Sequence, residues 1–218
     1  MKLKQGAEHL IVDVGGHMVH VQGVATRKKK IASDVHVPAD TNLEYVVIWN
    51  DQTVKRELVI HLDGEGEHAD LLGVFWANGK HVVKLDSTVA HHAANTTGNC
   101  LIKGVVDDEA EAHLAGMIQI DGEANYSYNQ LTERLMMLSD ECRGTLQPEL
   151  EILTNEVKAS HATTIAKPSK EDAFYLQSRG LGQQETETML VEGFLNEVVI
   201  EMGENEVVKE ALERFGGQ

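Results

Sequence analysis

Cysteine, proline and aromatic side chains are all scarce in this 218-residue chain, with 2 Cys, 3 Pro, and Phe, Trp and Tyr together at 5%. Two cysteines, Cys100 and Cys142, without a C-x-x-C pair, exclude a disulfide framework and fit a reducing compartment. No apolar run approaches the length of a membrane span, and the opening MKLKQGAEHL lacks an apolar signal core. The expectation is therefore a soluble, cytoplasmic protein with no membrane partner. Positive charge is also short: 19 Lys and Arg against 35 Asp and Glu leave a formal charge of −16, which argues against nucleic acid, whose backbone is bound through clustered cations. The single basic run, Arg27-Lys28-Lys29-Lys30, reads as a solvated turn or an edge strand whose lysines discourage further pairing. There is no G-x-x-x-x-G-K-[ST], so no nucleotide is expected on this chain and any ATP must be handled by a partner. H-E-x-x-H and G-x-S-x-G are missing too.

What is present is a succession of short, β-branched apolar runs. They are Leu10–Val14, Met18–Val24, Ile31–Val37, Tyr45–Trp49, Leu58–Leu62, Leu71–Trp76, His81–Leu85, Cys100–Val106, Leu114–Ile120, Leu135–Leu138 and Leu150–Val157. Gly, Asn and Asp clusters such as Asp63-Gly64-Glu65-Gly66 and Asn78-Gly79 separate them, and about eleven strands at this spacing predict an all-β domain. Sandwich, barrel and β-solenoid all remain open on pattern alone, and the lack of a clean sequence repeat counts against the solenoid. From Ser169 the apolar period changes to three or four residues. Ser169, three residues before Asp172, is a helix-start signal. Three helices are predicted: Lys170–Ser178, stopped by Arg179-Gly180; Gln183–Met202, with Met189, Leu190, Phe194, Val198 and Met202 on one face; and Glu204–Phe215. The expected division is a β domain over 1–166 and a helical domain over 167–218.

Several stretches carry a family resemblance. P-E-L-E-I (148–152), V-K-A-S-H-A-T-T (157–164), F-Y-L-Q-S-R-G (174–180) and G-F-L-N-E-V (193–198) occur in the order found in the SufB/SufD family, the scaffold subunits of SUF iron–sulfur cluster assembly. L-I-K-G (101–104), A-G-M-I-Q-I (115–120) and L-M-M-L-S-D (135–140) resemble it more loosely. The resemblance implies a right-handed parallel β-helix, a single-stranded solenoid, with a C-terminal helical subdomain. It also implies a scaffold that pairs edge to edge, as a homodimer or with a SufB-like subunit, and docks a SufC-like ABC ATPase through its helical end. Phe174, Tyr175, Arg179, Gly180, Met189 and Phe194 are the residues expected at that docking surface. Family members of full length carry an additional N-terminal helical domain with no counterpart in this sequence, which resembles a minimal, core-only version.

His161 is the first candidate for chemistry. It lies in Ser160-His161-Ala162-Thr163-Thr164, read as a polar bend after the last strand, and a lone histidine in that setting is commonly a hydrogen-bonded structural residue. The resemblance points further. SufD-type members have histidine at this place, implicated in cluster building at the subunit interface, whereas SufB-type members have glutamate. The implied cargo is a transient iron–sulfur cluster with His161 as a metal ligand, and Cys142 is the second candidate ligand on its own chemistry. Thiolate suits such clusters and Arg143 favours the charged form. The SufB-type cysteine falls within Gln130–Leu135, where this chain has none, so ligation would need Cys142, Cys100, or oxygen and nitrogen ligands such as Glu133, Glu149, Glu151 and His161. Cys100 reads as a buried strand residue. His91-His92, adjacent on an extended chain, point to opposite faces and cannot share a metal; a surface histidine ladder is the expected arrangement. A carbohydrate-active β-helix hydrolase or lyase is the alternative. It is disfavoured by scattered acids and sparse aromatic platforms, and a cupin-like site by the absence of an H-x-H pair.

Overall fold

Parallel strands that must be buried on their inner face and stacked on neighbours favour branched side chains, and the runs above supply them. The computed structural model describes residues 8–14, 17–21, 34–37, 42–50 and 53–202. Among these, the strands in chain order are β1 Glu8–Val14, β2 His17–Val21, β3 Asp34–Val37, β4 Asn42–Asn50, β5 Val54–Leu62, β6 His68–Ala77 and β7 Val82–His91. They continue with β8 Thr97–Val106, β9 Glu111–Ile120, β10 Tyr128–Met137, β11 Arg143–Leu146, β12 Glu149–Ile152 and β13 Lys158–Ala166, followed by helices α1 Lys170–Ser178 and α2 Gln183–Glu201. The basic run Arg27–Lys30 and the predicted helix Glu204–Phe215 lie outside the described residues.

Successive strands alternate between two sheets. One has the order β13-β10-β8-β6-β4-β1-β2 and the other β11-β9-β7-β5-β3, with β12 also paired to β9. All pairings are parallel except β1 with β2. The result is a parallel β-solenoid of about four turns with two C-terminal helices. Equivalent residues lie one coil apart: Leu71, Cys100, Leu131 and His161 are in register, in steps of 29, 31 and 30 residues. The unequal steps explain why no repeat is visible. Each inner position asks only for a side chain that fills the coil, while turns absorb insertions of a residue or two. Those turns repeat a left-handed residue at one corner, Gly66 (φ 77°), Asn95 (φ 59°) and Tyr126 (φ 62°), a conformation for which Gly and Asn carry little steric penalty and Tyr carries a full one.

Two apolar clusters hold the fold. The larger fills the coil between the sheets, with Val47, Trp49, Ile60, Leu71, Phe75, Leu85, Ile102, Leu114 and Ile118 among its buried members. The second lies outside, where Val191, Leu195, Val198 and Met202 of α2 cover Val46, Ile48, Leu72, Val74, Leu101 and Val105 of β4, β6 and β8. The predicted stripe of α2 is thus rotated: Val198 and Met202 are buried and Phe194 half-buried, but Met189 is exposed and Val191 and Leu195 take the central places. Lys103 stands in the middle of this second layer. Its Nζ donates to the Phe194 carbonyl (2.8 Å), pairs with Glu197 Oε2 (2.5 Å) and lies 4.8 Å from the Phe194 ring centroid. A strand lysine that caps a helix carbonyl and carboxylate ties α2 to β8.

Many strands are longer than their apolar runs. β7 continues through Asp86 and Thr88, with Ser87 buried between them, and β10 begins at Tyr128, because outward positions of a solenoid strand tolerate polar side chains. The predicted strand Leu150–Val157 is corrected: it ends at Ile152, and a new strand runs Lys158–Ala166. Pro148, which has no N–H to give, separates β11 from β12 while both stay paired to β9. His161 therefore sits within a strand and not in a bend.

Candidate functional site at the open end of the solenoid

The last coil, β11, β12 and β13, has no further coil above it among the described residues. Its inward positions follow from register: Leu150 over Ile118, Ile152 over Ile120, His161 over Leu131, Thr163 over Glu133 and Ile165 over Leu135. In a middle coil such positions are buried. Here Leu150, Ile152 and Ile165 remain 43%, 39% and 46% exposed, and His161 is exposed as well. Together they form an apolar rim with one imidazole in it.

One layer below lies Glu133, fully buried on β10, with neither carboxylate oxygen hydrogen-bonded among the described residues. Burial pushes its pKa up to about 7. The space it occupies exists because residue 116, opposite on β9, is glycine: a Cβ there would stand 2.6 Å from a Leu131 methyl and 2.9 Å from Glu133 Oε1. Cys100, a layer deeper, is buried, and its thiol is pushed well above its ordinary pKa by burial and by the neighbouring Glu133 charge. A neutral thiol, a carboxyl near its midpoint and an imidazole thus rise in successive layers towards the open end.

The other candidates lie elsewhere. Cys142 is buried at the entry to β11, where its backbone N–H donates to Ser139 Oγ (3.1 Å) and its Sγ donates to the Ser139 carbonyl (3.3 Å). Gly144, two residues on, abuts Leu135 and Met137, so Cys142 is displaced along the coil from Glu133 by several residues. Glu151 alternates with the inward Leu150 and Ile152 and so belongs to the outer face. Within this set the structure brings His161 and Glu133 towards one end and leaves Cys142 and Glu151 apart. Lys103 and the Cys100–Glu133 neighbourhood escaped the sequence reading. The alternation Leu131-x-Glu133-x-Leu135 was the available signal that Glu133 faces inward.

At the helical end, α1 buries none of its residues. Phe174 and Tyr175 are 74% and 56% exposed, Met189 is exposed beside them in sequence order on α2, and the Arg179 guanidinium lies 5.2 Å from the Tyr175 ring centroid. Gly180 (φ 100°) makes the turn between the helices, and Arg179, Gly180, Leu181, Thr188 and Met189 line a shallow groove there. Phe194 is half-buried against Lys103 and faces the sheet. His91 and His92 divide as expected. His91 faces inward and is buried between Thr96 Oγ1 and Asn129 Nδ2 (2.7 Å each), with its pKa lowered to about 4 by burial, while His92 joins a ladder outside.

Fold and site define a class: parallel β-solenoids whose end coil presents ionisable side chains in an apolar rim, with a helical cover on one sheet. Residues 9–194 match the SUF system FeS cluster assembly, SufBD core domain, and the chain belongs to that family. It is 29% identical over 164 residues to the iron–sulfur cluster assembly protein SufD of Bacillus subtilis (strain 168), covering 75% of this chain and 38% of that protein. It is 28% identical over 126 residues to SufD of Escherichia coli (strain K12), covering 58% and 30%. An iron–sulfur cluster assembly SufBD family protein of Synechocystis is 30% identical over 135 residues, covering 62% and 30%. The chain thus spans about a third of the length of these relatives. No helix among the described residues is long and apolar enough to cross a membrane.

Proposed function

We propose that this chain is a scaffold subunit of SUF-type iron–sulfur cluster assembly that works by pairing through the open end of its solenoid. The supporting observation is the last coil: Leu150, Ile152 and Ile165 occupy core positions with no core above them among the described residues, so a second subunit placed there would gain their burial. The partner is another SufBD-family subunit, either a second copy or a SufB-like chain. Pairing brings His161 to the joint, where its imidazole would meet the incoming iron as cargo. Glu133, without a partner and near its midpoint, would supply an oxygen from the layer beneath once a strand shift opened a path. The exposed α1–α2 corner with Phe174, Tyr175, Arg179 and Met189 is the proposed dock for a SufC-like ABC ATPase, whose ATP-driven closure would shift the scaffold pair. In this reading the compartment is cytoplasmic, residues 1–166 pair and 167–218 dock.

Light scattering of the full chain, alone and mixed with a SufC-type ATPase, tests both joints. Ile165→Glu should abolish pairing while leaving ATPase binding, and Phe174→Ala with Tyr175→Ala should do the reverse. Pairing that survives Ile165→Glu and Leu150→Glu together overturns the open-end reading. A truncation before α1 would be a poor test, because α2 covers the outer cluster on β4, β6 and β8.

A further inference from the structure

At the opposite end of the solenoid, on the outer face of the second sheet, three imidazoles stack across adjacent coils. His36 and His61 are register partners on β3 and β5, with ring centroids 4.4 Å apart and planes 9° from parallel. His92, just past β7, continues the stack at 5.2 Å and 17°. Carboxylates flank the column. Asp63 Oδ2 is 2.7 Å from His36 Nδ1, Asp121 Oδ2 is 2.7 Å from His92 Nδ1, and Asp34 Oδ1 is 3.8 Å from His61 Nε2. One donor atom from each of His36, His61 and Asp63 lies within 4.8 Å of the other two.

We propose that His36, His61 and Asp63 bind a divalent first-row transition-metal ion, with Asp121 and His92 fixing the tautomer that presents His61. Asp121 accepts only, so His92 carries its hydrogen on Nδ1, which leaves His92 Nε2 as a lone pair. That lone pair is 2.9 Å from His61 Nδ1 and accepts its N–H. His61 is then protonated on Nδ1, which leaves the lone pair on its Nε2, 3.8 Å from Asp34 Oδ1, available to a metal. A metal-ligating histidine usually donates its other ring N–H to a fixed acceptor, and here that acceptor is the His92 imidazole, itself held by Asp121. Two imidazoles and a carboxylate suit zinc, cobalt, nickel or ferrous iron, whereas magnesium and calcium prefer all-oxygen sets.

The site is close to formed and not fully closed. Donor atoms around a tetrahedral zinc ion stand about 3.3 Å apart, given bonds near 2.0 Å, whereas here all three lie within 4.8 Å and His36 and Asp63 are 2.7 Å apart, so that pair must open slightly to admit the ion. His36 and Asp63 are both well exposed and free to do so, the His36 ring tilting out of the stack as its proton to Asp63 gives way to the metal. The ion would join β3 to the end of β5, clamping the first described coils. It lies on strands remote from β13 and does not depend on the open-end reading.

Calorimetric titration of the full chain with Zn²⁺, and visible spectroscopy with Co²⁺, test the site. One equivalent should bind with a nitrogen and oxygen spectrum lacking thiolate charge transfer, and the melting temperature should rise on loading. His61→Asn and Asp63→Asn should each weaken Zn²⁺ binding by at least ~10-fold, and His92→Phe, which keeps the stack but breaks the relay, by roughly 10-fold. His113→Asn should leave it unchanged. All four changes are at surface side chains, and far-UV circular dichroism confirms that each variant is folded. Unaltered Zn²⁺ affinity in His61→Asn and Asp63→Asn, or loss of the site in Cys142→Ser, overturns the proposal.

Discussion

Glu133→Gln changes one atom in the sealed layer below the last coil, and its effect on stability should depend on pH in a calculable way. In the unfolded chain a glutamate titrates near 4.5, and in the folded solenoid burial raises Glu133 to about 7. The folded state therefore holds the proton more tightly. Its contribution is fully present below the unfolded value, falls as pH rises between the two, and is lost above the folded value. Each pH unit in that window is worth about 1.4 kcal/mol, so the total loss from pH 4.5 to pH 7.5 is about 3 kcal/mol. Glutamine cannot ionise, and the difference between variant and parent cancels every other carboxylate. Urea unfolding at fixed protein concentration, repeated from pH 4.5 to 8, should give a stability difference that moves in favour of Glu133→Gln by about 3 kcal/mol across the window and is flat above it. The glutamine NH₂ lacks a partner as well, which shifts the whole curve by a constant. The slope and not the offset is therefore the test. A difference that stays flat through pH 5–7 would refute the account of Glu133 as a buried, unpaired carboxyl.

Three further outcomes follow from packing and backbone geometry. Lys103→Ala removes the donor that holds the Phe194 carbonyl and Glu197, and should cost on the order of 2–3 kcal/mol, with α2 amides losing hydrogen-exchange protection before those of β8. Gly104→Ala puts a methyl 2.0 Å from Phe75 Cζ in the coil interior; it should destabilise by roughly 1–3 kcal/mol in chemical denaturation, and Phe75→Leu in the same chain should restore most of the loss. Tyr126→Asn replaces an exposed aromatic held at φ 62° by the residue type found one coil earlier at Asn95, and should raise stability by about 1 kcal/mol in a thermal melt.

Local chemistry made much of this protein legible before any coordinates. Runs of Val, Ile and Leu between Gly and Asn turns specify strands through side-chain shape and backbone freedom, both properties of a few neighbouring residues. Ser169 announces α1 because its hydroxyl accepts the Asp172 N–H, again a local event. The change from alternation to helical spacing separates β from α, and residue-by-residue likeness around Ser160–Thr164 identifies the family. The opposed directions of His91 and His92 needed only the pleat of a strand.

Tertiary structure decided whatever depends on stacking one coil upon another. β13 was missed because Lys158–Ala166 lies in the last coil, where inward positions need not be apolar to be strand, so no apolar alternation marks it. The buried face of α2 was misassigned around Met189 because its rotation is set by the outer surfaces of β4, β6 and β8, some hundred residues away in sequence. Glu133 is a carboxylate like any other until Gly116, on the opposite sheet, leaves it room and the coil removes its water. His36, His61 and His92 are separated by 25 and 31 residues and become neighbours only when the coil length brings them to one face. The sequence alone sets which segments are strand, turn and helix, because those preferences act over a few bonds. Which side chains share a layer is set by register, which exists only once the coils are stacked.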